Sequence, residues 1–257
     1  MEDFSAFSNW SVSGWVERLI LGVPPLILMK EFKIQEISKR IDHTILKPYA
    51  SVDDVRRVCE EALRYGFAAV CLNPVYVPIA SEVLRGSGVR VCSVVGFPLG
   101  STFKEVKVLE ARRVVELGAS EIDMVMNIPM FKSGRYDYVE EEIREVKEAV
   151  EGRVLKVIIE CCYLTDEEKV RAARLAERAG ADYVKTSTGF GGWGARVEDV
   201  RLLRKALSPR VKVKAAGGIR TAKQVIEFIE AGADRIGTSS GVKIIQEFEK
   251  LSGKRED

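Results

Sequence analysis

The chain has 257 residues, 46% of them hydrophobic and 30% charged, with 40 Lys plus Arg against 38 Asp plus Glu. That apolar share excludes a disordered chain, and a net charge of +2 leaves no electrostatic footprint for nucleic acid. No run of 18 apolar residues exists to cross a membrane as a helix, and the length suits one large α/β domain.

His43 is the only histidine. A His-rich metal site is therefore impossible, and chemistry falls to lysines, carboxylates, cysteines or backbone groups. The five cysteines (Cys59, Cys71, Cys92, Cys161 and Cys162) are odd in number, scattered and free of any CxxC pair. They read as reduced thiols of a cytoplasmic protein, not as a disulfide framework or a zinc site. Only three Asn and three Gln accompany the high charge content, which tilts toward a thermophilic source.

In chain order, residues 1–34 stand apart as an N-terminal helical extension. The apolar stretch Leu19–Met29 is split by Pro24-Pro25, follows an acidic start and lacks an A-x-A cleavage site, so it is not a signal peptide. Either it packs on the body or on a neighbouring subunit, or Met29 is the natural start.

From residue 35 to 257 the pattern is that of one catalytic domain. Short β-branched runs are expected as strands at Arg40–Leu46, Ala68–Leu72, Val89–Gly96, Glu121–Asn127, Leu155–Cys162, Tyr183–Ser187, Val211–Ala216 and Arg235–Thr238. Amphipathic helices are expected near 51–65, 75–85, 102–118, 136–150, 165–179, 196–207 and 221–231, with a last one from 241. Ser51 with Asp54, and Thr165 with Glu168, mark helix starts, and Gly66, Gly118, Gly180 and Gly232 mark stops. Strand followed by helix, eight times, predicts an α/β fold of the (β/α)8 TIM-barrel type. A doubly wound open sheet is the runner-up, without its GxGxxG opening.

A barrel places its site at the C-terminal strand ends. Polar residues stand there: Asp42, Asp123, Asn127, Glu160, Lys185 and Lys214. Lysine inside a strand is unusual, and adjacent strands lie about 4.8 Å apart, so Lys185 and Lys214 are expected to face each other. Two ammonium groups about 4 Å apart repel by roughly 4 kcal/mol at an effective dielectric of 20. That pushes one lysine toward the neutral amine, which attacks carbonyls and forms Schiff bases. A lysine at a frayed strand end, or one paired with Asp123, is the plainer reading of the same pattern. Alternation puts Asp123 and Asn127 on one face of strand four. It also turns Lys212 inward, where Glu160 is its expected partner.

At these residues the chain resembles a known family. Val184-Lys185-Thr186-Ser187-Thr188-Gly189 and Val213-Lys214-Ala215-Ala216-Gly217-Gly218-Ile219-Arg220 are similar to the two lysine motifs of the deoxyribose-phosphate aldolases. Ile41-Asp42-His43-Thr44-Ile45-Leu46-Lys47-Pro48, Val94-Val95-Gly96-Phe97-Pro98-Leu99-Gly100 and Glu121-Ile122-Asp123-Met124-Val125-Met126-Asn127 extend the likeness over residues 38–248. The resemblance implies a class I aldolase that reversibly cleaves 2-deoxy-D-ribose 5-phosphate to D-glyceraldehyde 3-phosphate and acetaldehyde. It implies no metal and no cofactor. Carried over by motif, Lys185 forms the Schiff base and Lys214 lowers its pKa. Asp123 transfers protons, and Asp42 completes the relay with Lys214. A homodimer or homotetramer is implied by analogy.

Phosphate in a barrel commonly sits at the loops after strands seven and eight. The expected contacts are Gly189, Gly218, Ser239, Ser240 and Thr188, with Gly217 and Gly237 shaping the loops. Phe190 stands where some members of the family carry a phosphate-binding lysine, so charge compensation must come from elsewhere. Gly191-Gly192-Trp193-Gly194 is a weak candidate for a closing loop. Cys71 is expected to line the aldehyde pocket or to be an apolar filler. Cys161 and Cys162, adjacent in a strand, should point to opposite faces without a role, and His43 is expected to be a hydrogen-bonded structural residue. Two alternatives stay open: another lysine-dependent aldolase or transaldolase, and a non-catalytic sugar-phosphate-binding barrel, which would bind without forming an imine.

Overall fold

The computed structural model describes residues 33–251. The expectations for the segment before residue 33, including the start at Met29, lie outside the described residues. Eight parallel strands close into a barrel in sequence order, with β8 pairing back onto β1. They are β1 (Ile41–Ile45), β2 (Ala69–Leu72), β3 (Arg90–Val95), β4 (Glu121–Val125), β5 (Val154–Ile158), β6 (Tyr183–Lys185), β7 (Lys212–Ala216) and β8 (Arg235–Thr238). The helices are α1 (Ile34–Ser38), α2 (Val52–Tyr65), α3 (Val77–Val83), α4 (Lys104–Glu116), α5 (Ile128–Lys132) and α6 (Tyr136–Ala149). They continue with α7 (Asp166–Arg178), α8 (Val197–Ala206), α9 (Ala222–Glu230) and α10 (Gly241–Leu251). None of the described helices is long and apolar enough to cross a membrane.

Local chemistry explains the element ends. Ser51 and Thr165 each close a capping box with the acidic residue three on, which contributes about 1 kcal/mol per helix. Gly66, at φ 62°, takes the left-handed turn that ends α2. The main core lies between strands and helices and is built from Val, Ile, Leu and Ala. Inside the barrel a small apolar group, Leu46, Ala69, Cys71, Cys92 and Val94, occupies the β1–β3 side. Beside it lie the buried charged side chains of Asp42, Glu121, Asp123, Lys156 and Lys214.

Several strands end earlier than the alternation suggested. β4 stops at Val125, and Asn127 caps the short helix α5: its side chain accepts from Met130 N and donates to Thr102 O at 3.1 Å. It is therefore a helix cap and not a second inward group of the strand. β5 stops at Ile158, so Cys161 and Cys162 lie in the 3-10 turn Cys161–Tyr163, with no strand to send them to opposite faces. The expected Lys212–Glu160 pair does not form. Lys212 opens β7 at the end of the barrel away from the cavity, is exposed, and rests over the Tyr183 ring at 5.7 Å. Strand alternation sets a residue's face but not its depth along the barrel.

Candidate active site

Strand register brings the polar residues together. Lys185 pairs with Lys214, and Asp123 pairs with Lys156. Thr186 staples the ends of β6 and β7, its hydroxyl donating to Ala216 O and accepting from Ala216 N. That fixes the two lysines side by side.

Asp123 is the hub. Its Oδ2 accepts from Lys185 Nζ at 2.8 Å and Lys214 Nζ at 2.7 Å, and its Oδ1 accepts from Lys156 Nζ at 2.9 Å. Lys214 also donates to Asp42 Oδ2 at 2.5 Å, and Asp42 Oδ1 accepts from Arg235 at 2.6 Å. Lys156 reaches Glu121 at 2.6 Å, and Arg235 reaches the same carboxylate at 3.3 Å. Asp42, Glu121, Asp123, Lys156 and Lys214 are wholly buried, and Lys185 is nearly so. Unpaired, any of these charges would be costly in a dry interior. Here each is matched.

Burial disfavours the charged form of Asp123, but Lys156, Lys185 and Lys214 outweigh it and hold the carboxyl well below its ordinary range. Asp42 is likewise depressed, against its burial, by Lys214, Arg235 and Lys156. Lys214 is held in its charged form. Burial works against its ammonium, yet Asp123 and Asp42 hold its pKa above the usual lysine value. Lys214 is thus a fixed cation, and the two lysines are no farther apart than two hydrogen bonds through one oxygen.

A cavity of about 540 Å3 opens above this network. Lys185 borders it, whereas Lys156 and Lys214 are fully buried behind. Thr188, Gly189, Gly217, Gly218, Gly237 and Ser239 border it, with both donors of Thr188 committed to Glu160 and so withdrawn from the expected phosphate contact. Ser240 does not line it: its N–H donates to the Thr238 hydroxyl at 2.9 Å, which in turn donates to Ile219 O. Gly237 belongs to β8 and not to a loop, and its bareness makes room for Lys214, whose Cε would lie 3.1 Å from an added Cβ. Cys71 is fully buried beside Asp123, 3.9 Å from Oδ2, and does not line the cavity. The end of the Gly191–Gly194 stretch packs against the turn after β7: Ala195 N donates to Gly217 O, and a Cβ on Gly217 would meet Gly194 Cα at 2.9 Å. His43 is buried and hydrogen-bonded to Glu61 at 2.7 Å, a structural contact as expected. Burial holds its pKa below the usual value against the pull of Glu61.

Lys156, Glu121, Arg235 and Cys92 complete the network and escaped sequence reasoning. Lys156 carried the same signal as Lys185, a lysine inside a buried strand. Two groups with metal-ligand chemistry also meet here, Cys71 with Cys92 and Asp123, and Asp42 with Cys92 and Glu121. Their carboxylate oxygens are engaged by lysine and arginine donors.

Lys47 and Arg220 also border the cavity. Phe190 meets Phe97 edge-on at 5.3 Å, an apolar lip beside the opening.

An amine at the floor of a barrel cavity, flanked by a fixed cation and a buried carboxylate, defines a lysine-bearing aldolase barrel. Residues 37–247 match the family model of the DeoC/LacD family aldolases, and the chain belongs to that family. It is 55% identical over 227 residues to the deoxyribose-phosphate aldolase of Caldanaerobacter subterraneus subsp. tengcongensis, spanning 87% of this chain and 98% of that protein. It is 58% identical over 215 residues to that of Thermococcus gammatolerans, spanning 82% and 96%. The solved deoxyribose phosphate aldolase of Aeropyrum pernix, described as a tetramer, superposes with a TM-score of 0.81 at 37% identity, covering 88% of this chain and 98% of that one.

Proposed function

We propose that this lyase cleaves 2-deoxy-D-ribose 5-phosphate to D-glyceraldehyde 3-phosphate and acetaldehyde, with Lys185 as the nucleophile. The observation that carries the assignment is that Lys185 alone of the three inward lysines borders the cavity. It reacts as its free amine. With that amine uncharged, Asp42, Glu121 and Asp123 balance Lys156, Lys214 and Arg235.

The amine adds to C1 of the open-chain sugar, and loss of water gives the imine. The imine draws electrons from the C2–C3 bond. As that bond breaks, the C3 hydroxyl gives up its proton, glyceraldehyde 3-phosphate departs, and a two-carbon enamine remains on Lys185. Protonation at C2 and hydrolysis release acetaldehyde and restore the amine. Asp123 touches both lysines and serves the proton transfers, through water where direct contact is lacking. Lys214 supplies the proton-bearing cation, held in place by Asp42. Phosphate sits against the loops of Gly189, Gly218 and Ser239, whose N–H groups have no hydrogen-bond partner among the described residues. Lys47 and Arg220 supply charge. No step calls on a metal or cofactor.

The enzyme works in the cytoplasm as a homodimer or homotetramer on free small molecules. Supporting this, all five cysteines are free, and Phe103, Val106 and Leu109 expose an apolar side of α4 suited to a second copy.

Borohydride added to protein with acetaldehyde, followed by digestion and mass mapping, is expected to place the adduct on Lys185. An adduct on Lys214 would exchange the two lysines' roles, and none with either acetaldehyde or the sugar phosphate would leave a binding barrel. A second prediction concerns Gly237→Ala, whose Cβ would stand 2.9 Å from Ala216 Cβ as well as crowding Lys214. Displacing Lys214 is expected to lower kcat on the order of 10²-fold, because misplacements near 1 Å have that effect. Steady-state kinetics beside a melting curve will separate this from unfolding.

A further inference from the structure

Glu160 follows β5 with φ 52° and ψ 73°, a left-handed backbone that a non-glycine residue rarely adopts. Its side chain is 1% exposed and forms no ion pair among the described residues. Both donors of Thr188 are spent on it: the N–H donates to Oε2 at 3.1 Å, and the hydroxyl donates to the same oxygen. The Thr188 hydroxyl in turn accepts from Phe190 N at 3.0 Å. Oε1 has no partner among the described residues and faces Gly191, where a Cβ would come within 3.2 Å of it. The carboxylate therefore stands under the whole 188–191 turn, and the unusual backbone at residue 160 aims it there.

The consequence concerns Gly189. With Thr188 turned inward at both donors, Thr188 cannot donate to a ligand, and Gly189, at φ 87°, is left with its N–H free beside the cavity. We infer that Glu160 is a positioning residue that presents the Gly189 amide to the phosphate group, and so sets the preference for phosphorylated over unphosphorylated sugar. This rests on the reading of the cavity as a sugar-phosphate site. The Glu160 side chain forms no hydrogen bond or ion pair with Lys185 or Asp123 among the described residues, so its effect belongs to the phosphate end and not to imine formation.

The test uses the full chain as wild type, Glu160→Gly and Glu160→Gln. Glycine accepts the left-handed backbone, and glutamine keeps an oxygen to accept from Thr188. KM for 2-deoxyribose 5-phosphate and the inhibition constant for inorganic phosphate are expected to rise about tenfold in Glu160→Gly, as for loss of a charge-assisted hydrogen-bond pair. The penalty on 2-deoxyribose 5-phosphate should exceed that on 2-deoxyribose at least about fivefold, and Glu160→Gln should recover most of it. Imine trapping with acetaldehyde should still label Lys185 in both variants. Equal losses on the two sugars, or a glutamine variant as impaired as the glycine one, would overturn the inference. If Glu160→Gly does not fold, Thr188→Val carries the test through the same rise in the phosphate inhibition constant. A wild type that cleaves neither sugar would sink the aldolase reading, while the dissociation constants for inorganic phosphate, titrated directly onto wild type and variants, would still decide the positioning role.

Discussion

Lys185→Met is expected to lose at least about 10⁴-fold in cleavage rate while keeping its fold and its melting temperature. The rate loss follows from removing the proposed nucleophile, since no alternative route to the electron sink exists without an imine. Stability is spared for a different reason. Lys185 contributes one ion pair, to Asp123 Oδ2, and that oxygen keeps Lys214 at 2.7 Å when Lys185 is gone. Asp123 Oδ1 keeps Lys156 at 2.9 Å. Three carboxylates then face Lys156, Lys214 and Arg235, so no buried charge is stranded. Methionine fills the space of the lysine stem beside the cavity. Cleavage assays and a thermal melt on the same preparation check both halves. Residual activity near the wild-type level would move the Schiff base to another lysine.

The barrel and half of this network were legible in the sequence for one reason: strand alternation and strand order are local signals. A lysine within β6 and another within β7 are neighbours in any sequential parallel barrel, and the register pairs them. What alternation cannot give is depth. Lys212 and Lys214 share parity, yet Lys212 is exposed at the far end of β7 while Lys214 is wholly buried. Lys156 has the pattern of Lys185 but lies mid-strand, away from any motif at a strand end, and its partners Glu121 and Asp123 come from β4. Lys107 and Glu142 were less legible still. Both sit in charged amphipathic helices, α4 and α6, and read as solvated faces. In the fold they form a fully buried pair at 2.7 Å, and Lys107 also donates to Val125 O at the end of β4. Nothing local distinguishes them from Glu140 or Arg144, which pair at the surface of α6. Glu160 was singled out at its strand end, but its partner was misassigned. A carboxylate in a strand reads as a partner for lysine. Here the strand has already ended, and the carboxylate is committed to Thr188.

Asp123→Asn, in contrast to Lys185→Met, is expected to cost both activity and stability. Three ammonium groups converge on this carboxylate, at 2.7, 2.8 and 2.9 Å. An amide can accept at one oxygen only, and its NH2 group must then face at least one lysine donor. Breaking a buried pair from one side typically costs about 3–5 kcal/mol, because the remaining charge is left uncompensated. For a domain of this size that lowers the melting temperature on the order of 10 °C. The rate should fall by about 10²- to 10⁴-fold, the contribution of a positioned proton-transfer group. The pH dependence supplies a separate check. The folded-state pKa of Asp123 lies well below its ordinary value of 3.8. Its contribution is therefore fully present above that ordinary value and is lost as pH falls toward the folded one. The gap in melting temperature between wild type and Asp123→Asn should accordingly be constant from about pH 5 to 7 and narrow below about pH 4. A gap that widens toward acid would show that the three lysines do not hold Asp123 ionised, and would remove the electrostatic basis assigned to the site.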